Sequence, residues 1–198
     1  MRLIEIGLDA VLVEVEAAHT LQLADAARRA GWACDVVPGA QSVLLDGVRD
    51  RPGALAWLSA WQPQDREAGT ELVEIAVRYD GPDLAAVATA WGCRPEQVAE
   101  RHAAILWEAA FAGFAPGFAY LRPAGGELAL PEVPRRRSPR PRVEPGSVAV
   151  ASAWTGIYPT ASPGGWQLIG STDAVLWSLE RPAPSLLPPG TRVRFVVR

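Results

Sequence analysis

The sequence changes texture near residue 105, and that change limits the fold more than any single motif does. Downstream of Ile105 helical periodicity almost disappears. Glycine, proline and aromatic residues punctuate short apolar runs at 111–118, 128–130, 148–151, 175–179 and 192–197. Runs this short and this evenly spaced suit strands that close into a barrel or sandwich, not helices with a continuous apolar stripe.

Upstream, strands and helices alternate. Residues 3–6 and 11–16 read as strands, the second setting Val11, Val13 and Val15 against Leu12, Glu14 and Glu16. A helix opens at His19 and Thr20, carries Leu21, Leu23, Ala24, Ala27 and Ala30 as its apolar stripe, and stops at Gly31. A strand pair at 34–37 and 42–45, joined through Pro38 and Gly39, precedes a second helix at 52–61, where Pro52 sits early enough to do no harm. Residues 70–78 alternate as a strand, so the first eighty residues make an α+β sandwich. A turn and helix cap at 79–83 leads to short helices at 84–91 and 95–104. These readings place a domain boundary between residues 80 and 95, giving an N-terminal α+β domain, 1–85, and a β-rich domain, 86–198.

With 198 residues, 49% of them apolar and 21% charged, the chain can bury a substantial core. A formal charge of −3 gives no general electrostatic grip on nucleic acid, although one segment is basic. No apolar run approaches the roughly 20 residues that span a bilayer, and Glu5 stands where a signal peptide would have its apolar core, so a cytoplasmic protein without a membrane partner is expected. Cys34 and Cys93 are far apart with no CxxC spacing, which offers no disulfide framework and no metal site.

Chemistry concentrates between Pro134 and Gly170. Five arginines, Arg135, Arg136, Arg137, Arg140 and Arg142, fall within eight residues, and Pro139 and Pro141 hold the run extended. Guanidinium forks suit carboxylates and phosphates. Residues 147–151 have the apolar character of a buried strand, and Ser162-Pro163-Gly164-Gly165-Trp166 allows close backbone approach to an anion. A solvated basic loop followed by a turn fits the same residues, as does an arginine-rich face for a protein partner. Upstream, the segment 113–121, GFAPGFAYL, places a tight turn at Pro116-Gly117 with Phe114, Phe118 and Tyr120 packed beneath it.

Taken in order, GFAPGFAYL, PRRRSPRPRVEPGSV and TGIYPTASPGGWQLIG resemble the family of 5-oxoprolinase B subunits, also described as allophanate hydrolase subunit 1 or the sensor-kinase inhibitor Kip family. The likeness spans nearly the whole chain and includes Tyr79-Asp80-Gly81-Pro82-Asp83-Leu84. It implies an N-terminal α+β domain followed by a cyclophilin-like β-barrel. It also implies work beside two partners, the C subunit of 5-oxoprolinase and its lactam-hydrolysing A subunit, in the ATP-dependent opening of 5-oxoproline to glutamate. One branch of the family instead restrains a sensor histidine kinase, and related domains serve urea carboxylation. The resemblance marks His102, Arg135, Arg136, Arg140, Thr155, Tyr158, Gly164, Gly165 and Trp166. On this basis His102 and Tyr158 are expected as catalytic groups, while a helix-terminal or core role fits His102 and packing in the barrel fits Tyr158 and Trp166 as well. Arg135, Arg136, Arg140, Gly117, Thr155, Gly164, Gly165 and Trp166 are expected to bind a substrate or its anionic group. Trp107, Trp154, Ser171 and Asp173 depart from the family pattern, the last two lowering local positive charge. No GxxxxGK[ST] motif and no lysine is present, so ATP is expected to bind with the partner.

Overall fold

The computed structural model describes residues 1–63, 72–125 and 130–198, and the chain divides into two units, Met1–Ala68 and Gly69–Arg198. In the first, β1 (Arg2–Ile6), β2 (Ala10–Glu14), β3 (Asp35–Pro38) and β4 (Ser42–Asp46) form an antiparallel sheet in the order β1-β2-β4-β3. Alternation fixes its faces: Val11 and Val13 of β2 and Val43 and Leu45 of β4 are fully buried. They meet Leu23, Ala24 and Ala27 of α1 (Thr20–Ala30) and Ala54 and Leu58 of α2 (Arg51–Ala60) in one core. The helix boundaries follow from the sequence. Gly31 caps α1 with φ +72°, its N–H reaching the Ala27 and Arg28 carbonyls, and the Asp50 carboxylate accepts the Gly53 N–H at the start of α2. Ala30, expected on the apolar stripe, is exposed at the last turn of α1, and β2 ends at Glu14, two residues short of the expected strand.

The second unit contains β5 (Leu72–Val77), α3 (Leu84–Trp91), α4 (Glu96–Ala103), β6 (Leu106–Ala112), β7 (Ala119–Pro123), β8 (Arg140–Val143), β9 (Ser147–Ala151), β10 (Trp154–Ile157), β11 (Ser162–Gly164), β12 (Gln167–Ser171) and β13 (Arg192–Val197). Among the described residues seven strands form one sheet, β12-β9-β10-β7-β6-β13-β5, and β8 pairs separately with β11. The large sheet curls until the chain just beyond β5 meets β12. Arg78 and Ser171 exchange backbone hydrogen bonds of 2.9 and 2.8 Å, and Gly81 and Asp83 donate to Ile169 and Leu168 at 3.2 and 3.0 Å. A Cβ on Gly170 would overlap the Arg78 carbonyl, so this closure requires glycine. The result is the expected cyclophilin-like barrel.

β5 lies in this unit although its sequence reads continuously with the first eighty residues, because it pairs in parallel with β13, Ile75 opposite Phe195. The boundary expected between 80 and 95 thus falls downstream of the division at Ala68 and Gly69. Positions 70 and 71 of the expected strand, and 128 and 129 of the expected run at 128–130, lie outside the described residues. The run at 175–179 forms no strand: Val175 and Leu179 are exposed, and a single bridge joins Trp177 to Ser185. Prolines at 182, 184, 188 and 189 remove the donors that a ladder there would need.

β9 explains how barrel and site share one strand. Val148 and Val150 point into the barrel core with Ile75, Val77, Trp107, Leu121, Ile157 and Phe195, whereas Ala149 and Ala151 join a second cluster with Phe118, Val143, Tyr158, Trp166 and Leu168. Both faces are buried, which accounts for its continuous apolar run. Burial of a side chain such as Phe195 or Leu121 contributes roughly 1.5–3 kcal/mol each. On the other face, two alanines leave room for a cluster of five aromatic rings.

Candidate functional site

Those rings form the pocket. Phe118 is its centre, edge-to-face with Phe114, Tyr120, Tyr158 and Trp166 at centroid distances of 5.3, 5.0, 5.5 and 5.5 Å. Phe114, Phe118, Tyr120, Arg135, Pro139, Tyr158, Pro163, Gly164, Gly165 and Trp166 enclose about 260 Å³. Three stretches distant in sequence converge here: the turn after β6, the arginine strap, and the segment from Tyr158 to Trp166.

Local geometry sets the pocket's polar edge. The Trp166 backbone N–H faces the Tyr158 hydroxyl oxygen. A Cβ on Gly164 would overlap that hydroxyl, whereas one on Gly165 would meet nothing closer than 3.7 Å. Gly164 is therefore required by the close approach of Tyr158, and Gly165 is not sterically constrained. Burial raises the Tyr158 pKa; the Trp166 N–H and the charges of Arg135 and Arg140 oppose this without reversing it. Tyr158 thus stays a protonated hydrogen-bond donor facing guanidinium charge.

The strap's arginines divide among different tasks. Asp83, only 6% exposed, accepts from Arg136 Nη1 at 3.1 Å and Arg140 Nη2 at 2.9 Å on one oxygen and from the Leu168 N–H at 2.7 Å on the other. Burial would raise its pKa, but Arg140, the Leu168 N–H and Arg136 outweigh burial and hold it below the ordinary carboxylate value. The Arg136 N–H also donates to the Gly165 carbonyl at 2.8 Å, and Gln167 Nε2 to the Pro134 carbonyl at 3.0 Å, so the strap is tied at several points to the segment that walls the pocket. Arg142 forks onto Glu144 at 2.7 and 3.3 Å. Arg135 lines the pocket, exposed and with no carboxylate partner among the described residues. Arg136 Nε, Arg140 Nη1 and Ser162 Oγ are buried donors without a partner among the described residues.

Of the residues marked in the sequence, Arg135, Tyr158, Gly164, Gly165 and Trp166 come together. Arg136 and Arg140 adjoin them through Asp83. His102 and Thr155 sit elsewhere, both fully buried. Thr155 Oγ1 donates to the Ala149 carbonyl at 3.0 Å and therefore accepts from His102 Nε2 at 2.9 Å; His102 Nδ1 then accepts from the Tyr79 hydroxyl at 2.8 Å. This chain fixes the Nε2–H tautomer and uses every polar hydrogen in it. Burial lowers the His102 pKa to about 3 and raises that of Tyr79, so both are neutral. The imidazole packs 4.6 Å from Phe195 and 5.0 Å from Trp107 in the barrel core and does not line the pocket. Gly117, φ +84°, ends a turn backed by Leu176 and Trp177 and likewise lies outside the lining.

Asp83 and Phe114 are the positions at the candidate site that the sequence reading undervalued. Asp83 reads as a helix cap, yet its side chain makes no cap bond to α3 and turns to the strap. The only signal for it is an arginine run too dense to lack a carboxylate partner. Phe114 reads as a packed residue, but it is 60% exposed with φ +70°. The Ala115 N–H bonds the Gly113 carbonyl at 2.8 Å across it, which is the rarer, strained hand of γ-turn.

Comparison with known proteins agrees with this architecture. The family model described as "Carboxyltransferase domain, subdomain C and D" matches residues 1–187. The chain is 37% identical to the 5-oxoprolinase B subunit of Escherichia coli O157:H7, over 96% of this chain and 93% of the relative. It is 42% identical to the 5-oxoprolinase B subunit of Bacillus subtilis strain 168, over 67% of this chain and 55% of that one. Among solved structures, TTHA0988 superposes with a TM-score of 0.80 at 35% identity over 96% of this chain, which spans only 40% of that longer protein. The Kluyveromyces lactis urea amidolyase superposes with a TM-score of 0.76 at 16% identity, over 99% of this chain and 15% of that one, a likeness of fold alone.

Proposed function

The chain belongs to the carboxyltransferase-domain family, subdomain C and D, together with the 5-oxoprolinase B subunits, and from that premise we propose that it is one component of an ATP-dependent 5-oxoprolinase complex. The observation that carries this reading is the convergence of three separated motifs on one aromatic pocket edged by an unpaired guanidinium, Arg135. 5-Oxoproline is a small ring bearing a carboxylate. Arg135 takes the carboxylate, the Phe118, Tyr120 and Trp166 rings take the faces of the ring, and the Tyr158 hydroxyl donates to its amide oxygen, where negative charge develops as the lactam is activated and opened. Arg136 and Arg140 hold the strap through Asp83 rather than gripping substrate. His102 supports the barrel behind β9 and transfers no proton.

ATP belongs to the assembly in this reading. The chain has neither lysine nor a phosphate-binding GxxxxGK[ST] loop, so the nucleotide site is assigned to the partners, the lactam-hydrolysing A subunit together with the C subunit. The test is co-expression with those two proteins and measurement of ATP hydrolysis dependent on 5-oxoproline. Turnover that requires this chain supports the reading; an assembled complex with no such turnover overturns it.

A further inference from the structure

We propose that Phe114 closes over the ligand in the aromatic pocket and sets the ring size that the pocket admits. This rests on the reading of the pocket as a site for a small cyclic carboxylate. Among the described residues only Phe114 and Ser152 combine a side chain with positive φ, and a bulky aromatic residue in that region is a strained outlier. Little burial repays the strain, because the ring is 60% exposed, and the aromatic rings it meets among the described residues, Phe118 and Tyr158, are T-shaped to it at 5.3 and 6.0 Å. The backbone nevertheless enforces it. The Ala115 carbonyl accepts the Phe118 N–H at 2.9 Å around Pro116 and Gly117, and a Cβ on Gly117 would lie within 2.9 Å of Trp177 Cβ, so the neighbouring turn is locked and backed. A locked turn that holds an apolar ring half in solvent at the pocket rim gives that ring a contact to make when the pocket is filled. Arg135 on the opposite motif supplies the charge that selects an acid, leaving size selection to Phe114.

The test is Phe114→Gly in the assembled complex, because glycine adopts φ +70° freely. Thermal stability is expected to stay the same or rise, while KM for 5-oxoproline rises about tenfold with kcat unchanged. The preference for 5-oxoproline over its six-membered-ring homologue as substrate or competitor is expected to disappear, and Phe114→Leu to fall between. An unchanged KM and ring preference overturns the inference, and so does an equal fall of stability and kcat, which marks a structural role. If the wild-type complex assembles without turnover, the substrate reading fails on its own. Ligand-detected NMR on the full chain with the same two acids then decides the Phe114 question: selective binding by wild type that Phe114→Gly loses supports it, and binding that is absent or insensitive to the substitution overturns it.

Discussion

The second unit contains two polar constellations within reach of one strand, and they are built to opposite rules. Behind β9, Tyr79, His102, Thr155 and the Ala149 carbonyl form a closed relay in which each proton has one acceptor. In front of it, Arg135 has no carboxylate partner among the described residues, three donors of the strap region are likewise unpaired, and a phenylalanine is held in strain at the rim. A satisfied buried network specifies a fold. One left open has capacity for a ligand. His102, expected from the sequence as a catalytic group, is thus fully buried with both ring nitrogens engaged, and the two constellations differ in satisfaction more than in residue type.

This contrast can be broken experimentally, and the expected effects on stability descend from the scaffold to the rim. Replacing His102 by Ala removes a core ring and leaves the buried Tyr79 hydroxyl without its acceptor, which should cost roughly 2–4 kcal/mol in urea unfolding; KM of the folded fraction should hold, and a rise would place His102 at the ligand after all. Asp83→Ala leaves Arg136 and Arg140 facing each other uncompensated. Its cost should be about 2–3 kcal/mol once solvent at Arg136 is allowed for, and unlike His102→Ala it should raise KM as the strap loosens. Near-wild-type stability would show that the clamp is not formed.

The pH response sharpens the same point. His102 has a folded-state pKa of about 3 against 6.5 when unfolded, so the unfolded chain takes up the proton first. Its contribution to stability is complete above about pH 6.5 and is lost as pH falls toward 3. Between about pH 6.5 and 5, above the range of ordinary carboxylates, the wild type should lose stability faster than His102→Ala; parallel curves would contradict the buried neutral imidazole. Tyr158→Phe removes the hydroxyl at the pocket's polar edge and should cost at most about 1 kcal/mol while lowering kcat. Arg135→Ala should change stability by less than about 0.5 kcal/mol and yet raise KM at least tenfold, the signature of a residue with no duty in the fold; an unchanged KM would remove it from the site.

The sequence made the elements legible wherever local periodicity governs. Helices α1 to α4 and strands β2, β9 and β13 lie within a residue or two of where apolar spacing, Gly31, Pro52 and Asp83 set them. Two kinds of fact stayed hidden. Long-range pairing was one: nothing in residues 72–77 says that their neighbour is 192–197, so β5 reads with the unit that precedes it. The other was the allocation of charge. The arginine run announces an anion, but which arginines are consumed depends on a carboxylate 53 and 57 residues upstream. Arg135 differs from Arg136 only by where the strap turns it, and a linear pattern carries no such information.

The parallel pairing of β5 with β13 also dictates an order of events during synthesis. β5 leaves the ribosome long before its neighbour, and the barrel cannot complete its sheet until the segment Arg192–Val197 has emerged. Until then β5 presents an apolar edge with unpaired backbone groups, the kind of surface that invites aggregation and that chaperones shield. A barrel that joins β5 to a strand more than a hundred residues downstream should complete its fold late, and removing that one strand should cost it the whole second unit rather than a single edge.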